Sequence, residues 1–234
     1  MISKLKVQFF LVFMLTLLFT ACDKNDPFEG TSGTFTDERD GHQYKWVKIG
    51  EQIWMAENLA YVPYACAPDS QCGIWVYDYY GEGSFYENYT TYGCLYDWQT
   101  AMEVCPEGWH LPSDEEWMEL ERFLGMSEEE LYINNFPRGR DSNVSGKLGA
   151  GMDLWIEKNV NATNEYGFTV LPGGQRSYFG PPGVYKGLGE STVFWTSSYD
   201  DQGYLLWVRA IGIDGVYRTN VHGNFGNSVR CIKN

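Results

Sequence analysis

The chain has 234 residues, 17% of them aromatic, and a formal net charge of −14 from 31 acids against 17 bases. So acidic a surface repels nucleic acid and anionic lipid headgroups, which excludes both as partners. The length suits one sizeable core.

The first residues, MISKLKVQFFLVFMLTLLFTAC, place Lys4 and Lys6 ahead of an apolar run from Val7 to Phe19. This predicts a secretory signal, too short for a stable membrane span. Its exit, Leu18-Phe19-Thr20-Ala21-Cys22, resembles a bacterial lipobox, with Phe19 where that pattern usually has Leu. The expectation is cleavage after residue 21 and acylation of Cys22. An ordinary signal peptide, with Cys22 as a structural cysteine, is the alternative. Cleavage removes Lys4 and Lys6 and no acid, leaving 15 bases against 31 acids and a charge of −16. Outer-membrane lipid is then met through the acyl chains alone, each buried methylene contributing about 0.8 kcal/mol. Asp23 and Asp26, just after Cys22, resemble the surface-export signals of Bacteroidetes lipoproteins and predict an outward-facing domain.

Residues 22–34 are polar and rich in Gly, Ser and Thr, a flexible tether. A single domain is expected over 35–234. Phe35 to Asp37 reads as a strand leading into Asp40-Gly41, a two-residue hairpin signal in place of half a calcium loop, and Gln43 to Ile49 alternates as the next strand. Gly50-Glu51 turns the chain into Gln52 to Met55. A helix is predicted from Leu95 to Val104, with Leu95, Trp98, Ala101 and Met102 on one face. A second begins at Ser113, an N-cap followed three residues later by Glu116 to close a capping box. Trp117, Leu120, Phe123 and Leu124 form its apolar stripe, and Gly125 ends it. Asp114, Glu115 and Glu116 then favour the positive end of the helix dipole. Ser127 starts a short third turn with the same box. Beyond residue 140, strands are predicted at 167–171, 193–198, 205–210, 216–219 and 228–232, with Asp214-Gly215 as a hairpin turn. Strands, then helices, then strands give an α+β domain, short helices packed on mostly antiparallel β-sheet.

Cys66, Cys72, Cys94, Cys105 and Cys231 remain after Cys22, an odd number in an exported chain, where disulfides are allowed. The short separation of Cys66 and Cys72 suits a local bridge, and Cys105 with Cys231 would tie the middle of the domain to its last strand. Cys94 is then unpaired; Cys66 or Cys72 with Cys94 stays open.

Several phrases together carry a resemblance over nearly the whole mature chain. They are DGHQYKWVKIGEQIWMAENL at 40–59, YGCLYDWQTAMEVCPEGWHLPSDEEW at 92–117, GKLGAG at 146–151, GFTVLPGGQR at 167–176, FWTSS at 194–198, LWVRA at 206–210 and NSVRCIKN at 227–234. The chain resembles the Fibrobacter succinogenes major paralogous domain of Bacteroidetes and Fibrobacter surface proteins, with Cys94 where that pattern has a basic residue. Leu111-Pro112-Ser113 and Val229-Arg230-Cys231 resemble, more widely, the C-type-lectin-like fold shared with formylglycine-generating enzymes. Kinship of fold does not carry activity. The Glu-Pro-Asn, Gln-Pro-Asp and Trp-Asn-Asp phrases of calcium-dependent lectins are absent, and no cysteine arrangement matches the formylglycine-generating active site.

The stretch CPEGWHLPSDEEW, from Cys105 to Trp117, has the components of a catalytic motif. A nucleophilic Cys105 needs a base held beside it and a third group orienting that base. His110 lies across a rigid turn set by Pro106, Gly108 and Pro112, and the expected fate of Cys105 is a disulfide; His110 has no assigned task. His42, His110 and His222 show no metal-ligand spacing. Carboxylates are so numerous that their presence decides nothing. No catalytic residue, metal or cofactor is expected.

The functional signal is aromatic. GIWVYDYYGEGSFYENYTTYG, from Gly73 to Gly93, carries eight aromatics in an acidic, glycine-punctuated segment. Trp75, Tyr77 and Tyr79 alternate, so an extended chain would put them on one face. Rings beside carboxylates and amides suit a sugar, an apolar ring face against C–H groups and polar tips for hydroxyls. Packing of the domain's own second layer is the structural alternative. A second loop, from Tyr178 to Tyr185, is similar. The expected protein is a non-catalytic, lipid-anchored recognition or display domain on the outer membrane, binding a glycan or another surface protein.

Overall fold

A computed structural model describes residues 28–79, 85–149, 153–157, 160–179 and 183–234, side chains 85 and 86 excepted. The signal segment and residues 22–27 of the tether, Cys22 included, lie outside the described residues. Chain order begins β1 (Ser32–Thr36), β2 (Gln43–Ile49), β3 (Gln52–Met55), β4 (Ile74–Trp75), α1 (Phe85–Tyr92), β5 (Leu95–Tyr96) and α2 (Trp98–Ala101). It continues β6 (Trp109–His110), α3 (Asp114–Phe123), α4 (Glu128–Leu131), β7 (Pro137–Arg138), α5 (Val144–Leu148), β8 (Gly173–Ser177) and β9 (Val184–Leu188). The last strands are β10 (Ser191–Tyr199), β11 (Leu206–Gly212), β12 (Gly215–Val221), β13 (Asn227–Ser228) and β14 (Ile232–Lys233).

The result is a mixed α and β fold of mostly antiparallel sheet with short helices. Among the described residues one sheet runs β1-β2-β3-β14-β6 and a larger one β4-β5-β13-β10-β11-β12-β7, with β8 also on β10 and β9 on β8. Among the named strand pairs, those of β10 with β13 and with β8 are parallel, and Gly149 with Val170 adds an isolated parallel bridge. The predicted single strand at 228–232 is two strands in two sheets, so Val229-Arg230-Cys231 is the splice between them. Cys231 is bridged to Cys105 with 6.0 Å between Cα atoms, across a separation of 126 residues. A loop that long is worth about 4–5 kcal/mol in the chain-entropy model.

Local chemistry accounts for the agreements and the corrections alike. Gly50-Glu51 is a two-residue turn, with Ile49 opposite Gln52 and Gly50 at φ +62°. Asp40-Gly41 is not: Thr36 pairs with Gln43, leaving a six-residue loop. Asp37 organises that loop by taking the backbone N–H of Arg39 at 3.0 Å and its guanidinium at 2.6 Å. The β11–β12 hairpin forms, but Gly212 pairs with Gly215, so the turn is Ile213-Asp214. The predicted helix over 95–104 shrinks to α2. Asp97 caps it by accepting the Thr100 N–H, and Leu95-Tyr96 join the larger sheet between β4 and β13. Residues 167–171 are no strand, because Thr169 sits at φ +61° with its N–H on the Asn164 side chain at 2.8 Å. α1, α5, β8 and β9 carried no sequence signal strong enough to predict them.

Helix α3 forms as its capping box requires, Ser113 and Glu116 exchanging hydrogen bonds, and α4 repeats the device with Ser127 and Glu130. Trp117, Leu120 and Leu124 enter the core. Phe123 does not: it is 51% exposed, lying edge-on to Tyr166. Glu121 is buried instead, because it meets arginines. Its Oε1 accepts from Arg138 Nη2 at 2.8 Å and Arg209 Nε at 2.7 Å. Two turns earlier on the helix, Asp114 accepts from Arg209 Nη1 at 2.6 Å and Arg218 Nη2 at 2.7 Å. Asp114 is therefore a buried sheet anchor as well as a favourable charge at the helix start. Burial raises its carboxyl pKa, but the hydrogen bonds of Arg218 and Arg209 and their charges outweigh this and hold it below its ordinary value of 3.8.

Removing either acid strands a buried guanidinium. Asp114→Asn and Glu121→Gln should each lose about 3–5 kcal/mol in urea unfolding at neutral pH. Because the folded pKa of Asp114 is depressed, its contribution is complete above 3.8 and fades as pH falls through the folded value. The acid limb of stability against pH should therefore be shallower in Asp114→Asn than in the wild type.

Candidate functional site

Cys66 and Cys72 are bridged, 5.9 Å apart at Cα. The loop they close lies against β4, the Cys66 N–H donating to Ile74 O at 2.8 Å and the Ile74 N–H to Cys66 Sγ at 3.3 Å. Its carbonyls then anchor two larger side chains. Ala67 O accepts from Trp75 Nε1 at 3.2 Å, and Pro68 O from Arg176 Nε at 2.9 Å and Nη2 at 2.5 Å. The Arg176 guanidinium sits 4.1 Å above the Trp75 ring, a cation–π stack fixed from both sides.

This stack walls a hollow of about 210 Å³ with Gln71, Asp97, Gln99, Tyr178 and Asn224 around it. A second hollow of about 420 Å³ shares Gln71, Asp97 and Gln99 and runs on to Tyr61, Tyr64, Glu103 and Arg39. The two make one groove. Arg39 closes its far end, held by Asp37, donating to Val104 O at 2.7 Å and stacked 3.9 Å over Tyr61. Asp97 sits at the centre as the cap of α2, its backbone N–H donating to Gly73 O at 3.0 Å. Gly73, at φ +96°, has no room for a Cβ there: it would meet Thr100 Oγ1 at 2.4 Å.

The four predicted ligand-binding residues divide. Trp75 and Tyr178 meet at the groove, but in different roles. Trp75 is 1% exposed and roofed by Arg176, so only its edge borders the hollow; Tyr178 is 41% exposed on the rim. Tyr77 and Tyr79 do not line the groove, which corrects the shared-face expectation: β4 ends at Trp75, Asp78 turns the chain at φ +57°, and Tyr77 packs against the cluster of Cys66, Trp75 and Leu95 behind it. Tyr77 packs 5.0 Å from Tyr185, and Tyr79 packs on the core. The rim continues from Tyr178 through Phe179 to Phe225, at ring separations of 6.0 and 5.7 Å. Tyr80 and residues 180–182, which belong to the two aromatic loops, lie outside the described residues. Gln71, Gln99, Arg176 and Asn224 were not foreseen; they stand on separate short segments, and only the fold collects them.

The Cys105-to-Trp117 stretch is tied up structurally. Cys105 is bridged to Cys231, and His110 joins the α3 cap to the chain end, its Nε2 2.8 Å from Glu116 Oε1 and its Nδ1 2.6 Å from Asn234 Oδ1. Among the described residues, no three His, Cys, Asp or Glu side chains are grouped so as to hold a metal ion, and no helix is long and apolar enough to cross a membrane.

The family model for the Fibrobacter succinogenes major domain matches residues 47–233. The chain belongs to that family. Comparison with curated proteins and with solved structures returned no match. The matched span holds both disulfides, α3 with its buried acids, and every groove residue except Arg39. The Fibrobacter succinogenes major domain thus includes the groove floor and rim, while one end wall comes from the β1–β2 loop just ahead of it.

Cys94 is the unbridged cysteine of the domain, fully buried, and burial pushes its thiol up to about 12. In a chain carrying Cys22→Ser, a thiol-alkylating reagent should leave the native protein unmodified and label one residue, Cys94, after denaturation without reductant. Labelling of the native chain, or of a cysteine other than Cys94, would contradict the pairing.

Proposed function

We propose that this protein is a non-catalytic recognition lipoprotein that binds a glycan in the groove beside the Cys66–Cys72 loop. The observation that carries the proposal is the composition of that groove. Amides of Gln71, Gln99 and Asn224, the Asp97 carboxylate and the Arg176 guanidinium border a hollow edged by Trp75 and Tyr178. Hydroxyl groups need donors and acceptors at close spacing, and sugar C–H faces need a ring face, which the half-exposed Tyr178 on the rim supplies. Fixed walls favour binding because less side-chain freedom is lost, and Trp75 and Arg176 are already locked by the loop carbonyls.

The fold is proposed to be C-type-lectin-like. Support comes from the first and last strands sharing one sheet, from the long-range Cys105–Cys231 bridge and from the short helices packed on antiparallel sheet. Anchoring is proposed through acylated Cys22 in the outer membrane, facing outward, from the lipobox-like exit and the acids after it. A second reading, a partner protein on the cell surface, is favoured by the exposed rings of Tyr178 and Phe179, which continue into the partly buried Phe225.

On an array of host and plant glycans, the mature chain should bind a defined set. Tyr178→Ala and Gln99→Ala should each weaken those signals by ~10-fold or more without shifting the thermal midpoint, a loss of about 1.4 kcal/mol or more. An empty array would sink the glycan reading. Cross-linking on intact cells that recovers one protein, lost with Phe179→Ala, would establish the second. Metabolic labelling with a fatty-acid analogue should mark the wild type and not Cys22→Ala.

A further inference from the structure

Arg230 is a buried cation without an anion. It stands in the splice between the sheets, 1% exposed, with its guanidinium carbon 4.6 Å from the Phe168 ring centre and 5.3 Å from that of Phe194. Its Nη atoms donate to neutral acceptors only: the carbonyls of Phe168, Met55 and Thr169, and Asn58 Oδ1 at 2.6 Å. Its Nε has no partner among the described residues. Arg138, Arg209 and Arg218, equally buried, each close on a carboxylate. Burial accordingly lowers the pKa of the Arg230 guanidinium from its usual value, with the charge of Glu57 opposing weakly.

Arg230 borders a hollow of about 540 Å³, roofed by the end of α1 and by the start of β2. Lys45 stands at the mouth with its Nζ 3.1 Å from Glu57 Oε1, and Glu57 also takes the Lys45 backbone N–H at 3.1 Å. Glu57 thus spends both of its contacts on Lys45 and makes none to Arg230, and the hollow has room for a second anion. Gln43, Thr90 and Thr91 supply amide and hydroxyl groups to the same wall.

We propose that this hollow is a separate ligand site for a small sugar acid, its carboxylate held between Lys45 and the charge of Arg230 and its hydroxyls by Gln43, Thr90 and Thr91. The overall charge of −14 restricts the ligand further. A polyanion would be repelled along its length, whereas one carboxylate within a screening length of two cations is attracted locally. The site is independent of the groove beside the disulfide loop and stands or falls without it.

The test is titration of the mature chain with sodium glucuronate, glucose, sodium acetate and sodium sulfate at constant ionic strength, followed by amide NMR. Glucuronate should bind in the millimolar range and move the amides of Asn58 and Thr91, with glucose and sulfate without effect and acetate weaker. Lys45→Glu should weaken glucuronate ~10-fold or more, and Tyr178→Ala should leave it unchanged. Arg230→Gln is the direct probe, but it alters the core, so Lys45→Glu, on an exposed side chain, carries the decision. No binding up to ~50 mM, equal binding of glucose or acetate, indifference to Lys45→Glu, or shifts confined to Gln99 and Tyr178 would each overturn the proposal.

Discussion

Asp114 and Glu121 lie two helical turns apart on one face of α3, and through them the helix is bound to the sheet. Arg209 of β11 reaches both, through Nη1 to Asp114 and Nε to Glu121. Arg218 of β12 and Arg138 of β7 complete the set from the neighbouring strands. Taking five charged groups out of water is costly, and the arrangement persists only because each acid meets more than one arginine N–H at short range. That requirement is geometric. It fixes how far α3 slides and rotates against β11, which apolar packing by Trp117 and Leu120 alone would leave looser. The position of α3 in turn sets the Cys105 turn before it and, through Cys231, the final strand.

With the core fixed in this way, the groove can be made of loops. None of its polar residues comes from a long strand. Gln71 is on the disulfide loop, Asp97 and Gln99 begin α2, Arg176 and Tyr178 stand at the end of β8, and Asn224 lies between β12 and β13. They are brought into register by backbone contacts: Trp98 N–H to Gly223 O at 2.9 Å, Arg176 N–H to Gly226 O at 2.7 Å, and the Pro68 carbonyl to the Arg176 side chain. Each spans a large sequence separation, with one or two hydrogen bonds holding it. The Cys66–Cys72 bridge shapes this surface directly, and it closes a far shorter loop than Cys105–Cys231, so it removes less unfolded-state entropy.

What could be read beforehand follows from how local its cause is. The α3 start is written in Ser113 and Glu116, three residues apart, and the Gly50-Glu51 turn in one glycine, so both were legible. The two bridges were legible from spacing and an oxidising compartment, with the pairing of Cys94 left open. The 95–104 segment was misread because its apolar spacing fits a helix, yet Leu95 and Tyr96 are apolar for a different reason, burial between two strands. Asp114 read as a helix-dipole charge, since nothing local tells of Arg209 and Arg218 about a hundred residues on. Trp75 read as a binding platform for the same reason: the guanidinium that roofs it is Arg176. Gln71, Gln99 and Asn224 have no periodic signature at all, and no local pattern could have assembled them.

The contrast between Arg209 and Arg230 shows how one fold uses the same side chain in two ways. Both are essentially buried, Arg209 within β11 and Arg230 between β13 and β14. Arg209 has its anions within the chain, so its charge is spent on docking a helix and nothing is left for a ligand. Arg230 lies in the splice, where the backbone leaves one sheet for the other and the carbonyls of Met55, Phe168 and Thr169 converge on it. A guanidinium is the side chain with enough donors to satisfy them, and its hydrogen-bonding task explains its presence without any ligand. The carbonyls neutralise its donors but not its charge. That residual charge borders a hollow, and Lys45 stands at the mouth paired with Glu57. The same residue that joins the two sheets therefore leaves a positive charge in an otherwise acidic molecule, a local field that a small anion can use and a large one cannot.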